Sequence, residues 1–181
     1  MVFIRTLLIS IFILFTTTMC SQRDTLVVQQ GNVKYELKIS EQVYPIVEEY
    51  FSHEEIQDLD LNVLDGLLGI YVVTREEMLD LTYPDTSYRF GLTLIKPNGD
   101  SGIFINGTMP VYLPKLHSLI LYHEMYHLFI GEASKNHCTE VDCPYILRNG
   151  FNIEMAVCNW NDEQKKEYFK YIIWKQKEVS R

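Results

Sequence analysis

The chain has 181 residues, of which 47% are apolar and 22% charged, a balance that excludes an intrinsically disordered polypeptide. Its formal net charge is −8, and its lysines and arginines form no stripe, which argues against nucleic acid as a partner. The length suits one domain behind a targeting segment.

At the N-terminus Arg5 precedes the apolar run Leu7 to Phe15, followed by Thr16-Thr17-Thr18 and Met19-Cys20. A positive start, an apolar stretch of about 7–15 residues and a small polar end predict a secretory signal over residues 1–20, leaving residues 21–181 as the folded domain. The apolar run is short of the roughly 20 residues that span a bilayer, and no positive cluster follows it. Cys20 is similar in position to the lipid-modified cysteine of bacterial lipoproteins, although Thr17 and Met19 stand where those signals usually carry Leu and a small residue. The expectation is an exported protein, either secreted or held in the cell envelope through an acylated Cys20. Export permits disulfides. Cys138 and Cys143 are close enough for a loop staple, Cys158 can replace either, and one of the three is left over.

Thr25 to Gln30 and Val33 to Ile39 flank Gly31-Asn32. Val33, Tyr35, Leu37 and Ile39 alternate with polar residues, so a β-hairpin is predicted. Ser40 is placed to cap an amphipathic helix carrying Val43, Ile46, Val47, Tyr50 and Phe51 and running to about residue 56. Leu67 to Val73 reads as a buried strand. Residues 75–88 read as a polar and aromatic loop that can hold one helical turn. Arg89 to Ile95 and Gly102 to Asn106 flank Pro97-Asn98-Gly99-Asp100, a second hairpin. A helix is predicted from Pro114 to Ile130 with Gly131 as its C-terminal cap. About twenty loop residues follow, after which Phe151 to Ala156 can form a helical turn. A last helix opens at Asn161 or Asp162, with Tyr168, Ile172, Ile173 and Gln176 along one side. This order predicts a single α+β domain with one mixed sheet.

The chemistry lies on the helix after the second hairpin, in His123-Glu124-Met125-Tyr126-His127. Residues four apart stand one turn apart on one helix face. Two imidazoles so placed reach one Zn²⁺ at about 2.0–2.1 Å. Glu124 is offset toward the water bound to that metal, whose pKa zinc lowers to about 7, and its carboxylate can take the proton as the water attacks a carbonyl. The stripe also holds Leu116, Leu119, Ile120 and Ile130, so a single histidine there would read as core. Two histidines with a glutamate between them read as a metal site. Catalytic zinc keeps three protein ligands. His137 is the leading third ligand, with Glu154 and Glu132 as alternatives. His117 falls on another face of the helix, and His53 reads as a surface residue.

The segments His123 to His127, Gly131, His137-Cys138 and Cys143-Pro144-Tyr145-Ile146-Leu147 resemble the metzincin clan of zinc metallopeptidases. They look closest to small metallopeptidase-like lipoproteins of Bacteroidetes-type bacteria, and the Cys138 to Cys143 spacing is also similar to that of archaemetzincins. The resemblance covers about residues 100–147. It implies a zincin-like fold with an active-site helix against a mixed, twisted sheet. It also implies zinc held by His123, His127 and His137, Glu124 as general base, and a turn below the metal around Ile146-Leu147. The chain departs from the pattern in the longer gap from His127 to His137, in Leu147 where the family's turn has methionine (unless Met155 takes that place), and in Tyr126 where Gly is frequent. The expected activity is hydrolysis of a peptide or protein substrate. The alternative is a membrane-attached lipoprotein that binds ligands on a catalytically weak zincin scaffold. By analogy with the clan, Gly102 to Asn106 is expected to be an exposed sheet edge on which substrate adds as a strand.

Overall fold

A computed structural model describes residues 23–85, 89–108, 114–131, 143–148 and 153–179. The strands are β1 (Arg23–Gln30), β2 (Val33–Ser40), β3 (Leu67–Val73), β4 (Gly91–Ile95) and β5 (Ser101–Asn106). The helices are α1 (Tyr44–Ser52), α2 (Arg75–Thr82), α3 (Pro114–Ile130), α4 (Ile153–Asn159) and α5 (Asp162–Val179), with short 3-10 turns between some of them. The domain is α+β, built on one mixed five-stranded sheet in the order β1-β2-β3-β5-β4.

β1 and β2 form an antiparallel hairpin closed by Gln30 opposite Val33, and Gly31 takes φ 59° in the turn. That left-handed conformation suits a residue without a Cβ. β2 then runs parallel to β3, and β3 parallel to β5, whereas β4 is antiparallel to β5. Leu37, Ile39, Ile70, Ile103 and Ile105 are fully buried. Period-two alternation sends these residues to one face of the sheet, where the helices pack.

α3 lies against β4 and β5 and also contacts α1, α4 and α5. Leu119, Leu121, Tyr122, Met125, Tyr126 and Leu128 are all buried, as expected of a helix enclosed on several sides. Hydroxyl groups fix its position. Tyr168 on α5 donates to the Tyr122 carbonyl at 2.6 Å, and Trp160 donates through Nε1 to the Ser118 hydroxyl at 3.0 Å. Gly131 ends α3 with φ 68° and a bond from its N–H to the His127 carbonyl at 3.0 Å, the expected left-handed cap. Asn161 caps α5, its side chain accepting from the N–H groups of Glu163 and Gln164.

Several expectations are corrected. β5 is an inner strand, bonded to β3 on one side and β4 on the other, so among the described strands the sheet edge beside α3 is β4 and not Gly102 to Asn106. Residues 75–82 form two helical turns rather than a loop. Thr74 and Glu77 make a reciprocal capping box, with bonds of 3.2 and 2.8 Å, which fixes the start of α2. α1 stops at Ser52 because His53 is extended, and the rest of the expected helix is a 3-10 turn over Glu54–Asp58. Ser40 does not cap it: its hydroxyl accepts from the Val72 N–H at 3.0 Å and joins β2 to β3.

The expected signal over residues 1–20 and Cys20 lie outside the described residues. Among the described residues no helix is long and apolar enough to cross a membrane.

Candidate metal centre

α3 carries His123 and Glu124 in its second half and His127 in its last turn, between the sheet and the segment that follows Cys143. The Nε2 atoms of His123 and His127 are 3.3 Å apart, and their rings meet edge to face with centroids 5.0 Å apart. Two nitrogens each about 2.0–2.1 Å from one tetrahedral ion are separated by roughly 3.3–3.4 Å, so this pair already has the spacing of two ligands of one zinc.

A second contact sets the chemistry of the first ligand. Nδ1 of His123 lies 2.7 Å from the carbonyl oxygen of Ile146. A carbonyl only accepts, so Nδ1 carries the proton and Nε2 keeps its lone pair. Burial lowers the His123 pKa, with the Ile146 contact acting in the opposite direction, so the imidazole is neutral at pH 7 as a metal ligand must be. Ile146 sits in the 3-10 turn Tyr145–Leu147, with Ile146 and Leu147 both buried. Pro144 precedes the turn, and Arg148 Nε donates back to the Cys143 carbonyl at 2.9 Å. Cys143 is disulfide-bonded, to a partner outside the described residues, whereas Cys158 is an exposed free thiol and so is not a member of the staple.

Glu124 is buried. The Thr93 hydroxyl on β4 lies 2.8 Å from Glu124 Oε2 and 2.8 Å from the Glu124 backbone oxygen. Burial pushes the Glu124 carboxyl up to about 7, against the Thr93 hydrogen bond and the positive charge of Arg89, both of which pull it down. Arg89 is itself paired with Asp85 at 2.6 Å. A carboxyl that titrates near neutral pH is suited to accept a proton and return it in one reaction cycle.

No protein-family model, characterised protein or solved structure matches this chain.

The donor set fits zinc as far as the described residues reach: two imidazoles at ligand spacing, one of them neutral and oriented by a backbone carbonyl. His137 and Glu132 lie outside the described residues, and Glu154 falls in α4 with its side chain outside them. Among the described residues no group of three His, Cys, Asp or Glu side chains is gathered. His53, expected at the surface, is half-buried. It packs against Phe169, and its Nε2 lies 3.0 Å from the Tyr122 hydroxyl. His117 is on α3 but apart from the pair, and burial lowers its pKa.

Sequence reasoning missed Thr93 and Gly91. A Cβ on Gly91 would lie 2.6 Å from Glu124 Oε1 and 2.7 Å from Ile120 Cγ2, so the glycine makes the room that the carboxylate fills. A threonine and a glycine in a short strand carry no sequence signal for a contact with a helix about thirty residues later.

Proposed function

We propose that the chain is an exported zinc-dependent peptidase. The observation that carries this reading is the 3.3 Å spacing of the His123 and His127 Nε2 atoms on the helix that also holds Glu124. His123 and His127 would hold the metal, with His137 as third ligand and Glu154 or Glu132 as the alternatives. Zinc bound there would supply Lewis-acid polarisation of the scissile carbonyl and a coordinated water with a pKa near 7.

The chain's own groups supply the rest. Glu124 accepts the proton of the attacking water and returns it to the leaving amine. The Thr93 hydroxyl, 2.8 Å from Oε2, holds that carboxylate beside β4. Among the described strands β4 is the edge beside α3, and an extended substrate backbone can add to it as a further strand at little cost in sequence selectivity. A signal over residues 1–20, with acylation at Cys20, would place the domain in the cell envelope, where peptide and protein substrates are at hand.

The test pairs wild type with Glu124→Gln. Both should bind zinc alike, and wild type alone should cleave a casein digest. Zinc binding without cleavage by wild type favours a ligand-binding module instead. A folded wild type that takes up no zinc on titration removes the metal centre altogether.

A further inference from the structure

The two β4 residues that touch Glu124 also carry the backbone groups of the open sheet edge. Asn106 N–H donates to the Phe90 carbonyl at 2.9 Å, and Lys96 N–H donates to the Asp100 carbonyl at 2.7 Å. These pairs lie in register with the β4 and β5 ladder, in which Gly91 stands opposite Ile105, Thr93 opposite Ile103 and Ile95 opposite Ser101. Bonded and non-bonded pairs alternate in an antiparallel ladder. Leu92 and Leu94 therefore turn their backbone groups toward β5, whereas Gly91, Thr93 and Ile95 turn theirs to the side that no described strand occupies. On the helix-facing side, the Thr93 hydroxyl is 2.8 Å from Glu124 Oε2, and the bare Cα of Gly91 borders Oε1. Thr93 and Glu124 are both buried, so water competes poorly for this bond.

We propose that Thr93 is a positioning residue that holds the Glu124 carboxylate, with Gly91 leaving the space for it, so that an extended peptide paired to the β4 edge meets a base fixed by the same strand. This rests on the peptidase reading above. The substrate class it implies is an extended chain with a backbone N–H and C=O on each side of the scissile bond, rather than a dipeptide. Displacing a reacting group by about 1 Å can cost on the order of 100-fold in rate. A lost Thr93 bond should therefore appear in kcat and not in metal or substrate binding.

The experiment compares wild type, Thr93→Val, Thr93→Ser and Gly91→Ala as full-length protein. The substrate is a peptide that wild type cleaves from a casein digest. Zinc content, melting temperature, KM and kcat are measured together. The expected result is zinc content unchanged and KM within about twofold in Thr93→Val, with kcat lowered roughly 10- to 100-fold and restored by Thr93→Ser. Gly91→Ala should lower kcat in the same way. A Thr93→Val variant with wild-type kcat overturns the proposal, as does a Thr93→Ser variant no better than Thr93→Val. If wild type cleaves nothing, the peptidase reading fails by itself, and crystal structures of the variants decide the positioning role. A Glu124 carboxylate displaced in Thr93→Val but kept in Thr93→Ser supports it, and one unmoved in both overturns it. If Thr93→Val does not fold, Gly91→Ala carries the same decision: a displaced carboxylate supports the proposal and an undisturbed one overturns it.

Discussion

The backbone carbonyl of Ile146 lies 2.7 Å from Nδ1 of His123, so a residue 23 positions further along the chain sets which nitrogen of that histidine faces its neighbour. Leu147, the next residue in the turn, is fully buried. Leu147→Ala should lower stability by about 2–5 kcal/mol through the cavity it leaves. By loosening the group that orients His123, it should also weaken zinc binding roughly 10- to 100-fold. Chemical denaturation and competition against a chromophoric chelator read the two effects separately. Lost stability with wild-type zinc affinity would reduce the turn to a packing element.

One zinc per chain is expected in wild type, and none in His123→Ala or His127→Ala. Each variant removes one of two nitrogens that stand 3.3 Å apart. Elemental analysis of folded protein after zinc loading and gel filtration measures this. Retention of zinc by both variants would place the metal elsewhere.

The Glu124 carboxyl ties stability to pH. It titrates near 4.5 in the unfolded chain and at about 7 in the folded one. Between these values the folded protein holds a proton that the unfolded chain has released, so stability falls as pH rises. Below about 4.5 the group costs nothing extra, and above about 7 the full cost of roughly 3 kcal/mol is present. Glu124→Gln removes the ionisation and should stabilise the chelator-treated protein at pH 8 but hardly at pH 4.5. For a domain of this size the difference at pH 8 is roughly 5–10 °C in melting temperature. Equal shifts at the two pH values would show that the carboxyl is not held in a dry site.

β4 and β5 should respond differently to proline. Phe104 in β5 stands opposite Tyr71 on one side and Leu92 on the other. Proline there removes a ladder bond inside the sheet, at about 3 kcal/mol or more, and Phe104→Pro should not fold. The Ile95 N–H points to the open side of β4, and the residue is exposed. Ile95→Pro should keep the native circular dichroism spectrum and its zinc, while losing cleavage of peptides that pair along this edge. A folded Phe104→Pro would contradict the inner position of β5.

Acylation of Cys20 is checked by expressing the full chain in a bacterium with a labelled fatty acid. Wild type should be marked and Cys20→Ala should not. Labelling of both, or of neither, would leave ordinary secretion or a retained anchor.

The sequence alone determined the elements whose signals are local. The alternation around Gly31-Asn32 marked the first hairpin, Pro97 to Asp100 the second, and Pro114 and Gly131 the two ends of α3. It also placed His123 and His127 on one helix face, because i and i+4 always share one. The capping box at Thr74 and Glu77 formed no part of that reading, because the short polar stretch after Thr74 reads as loop. Tertiary structure alone decided the order β3-β5-β4, which made β4 the edge. Strand order depends on how crossovers pack against a shared core, and β4 and β5 are alike in length and composition. It alone brought Thr93 and Gly91 to Glu124, and the Ile146 carbonyl to His123. Those contacts join residues 23 to 33 positions apart through a backbone oxygen, a hydroxyl and a missing Cβ. None of the three has a periodicity that a sequence can display.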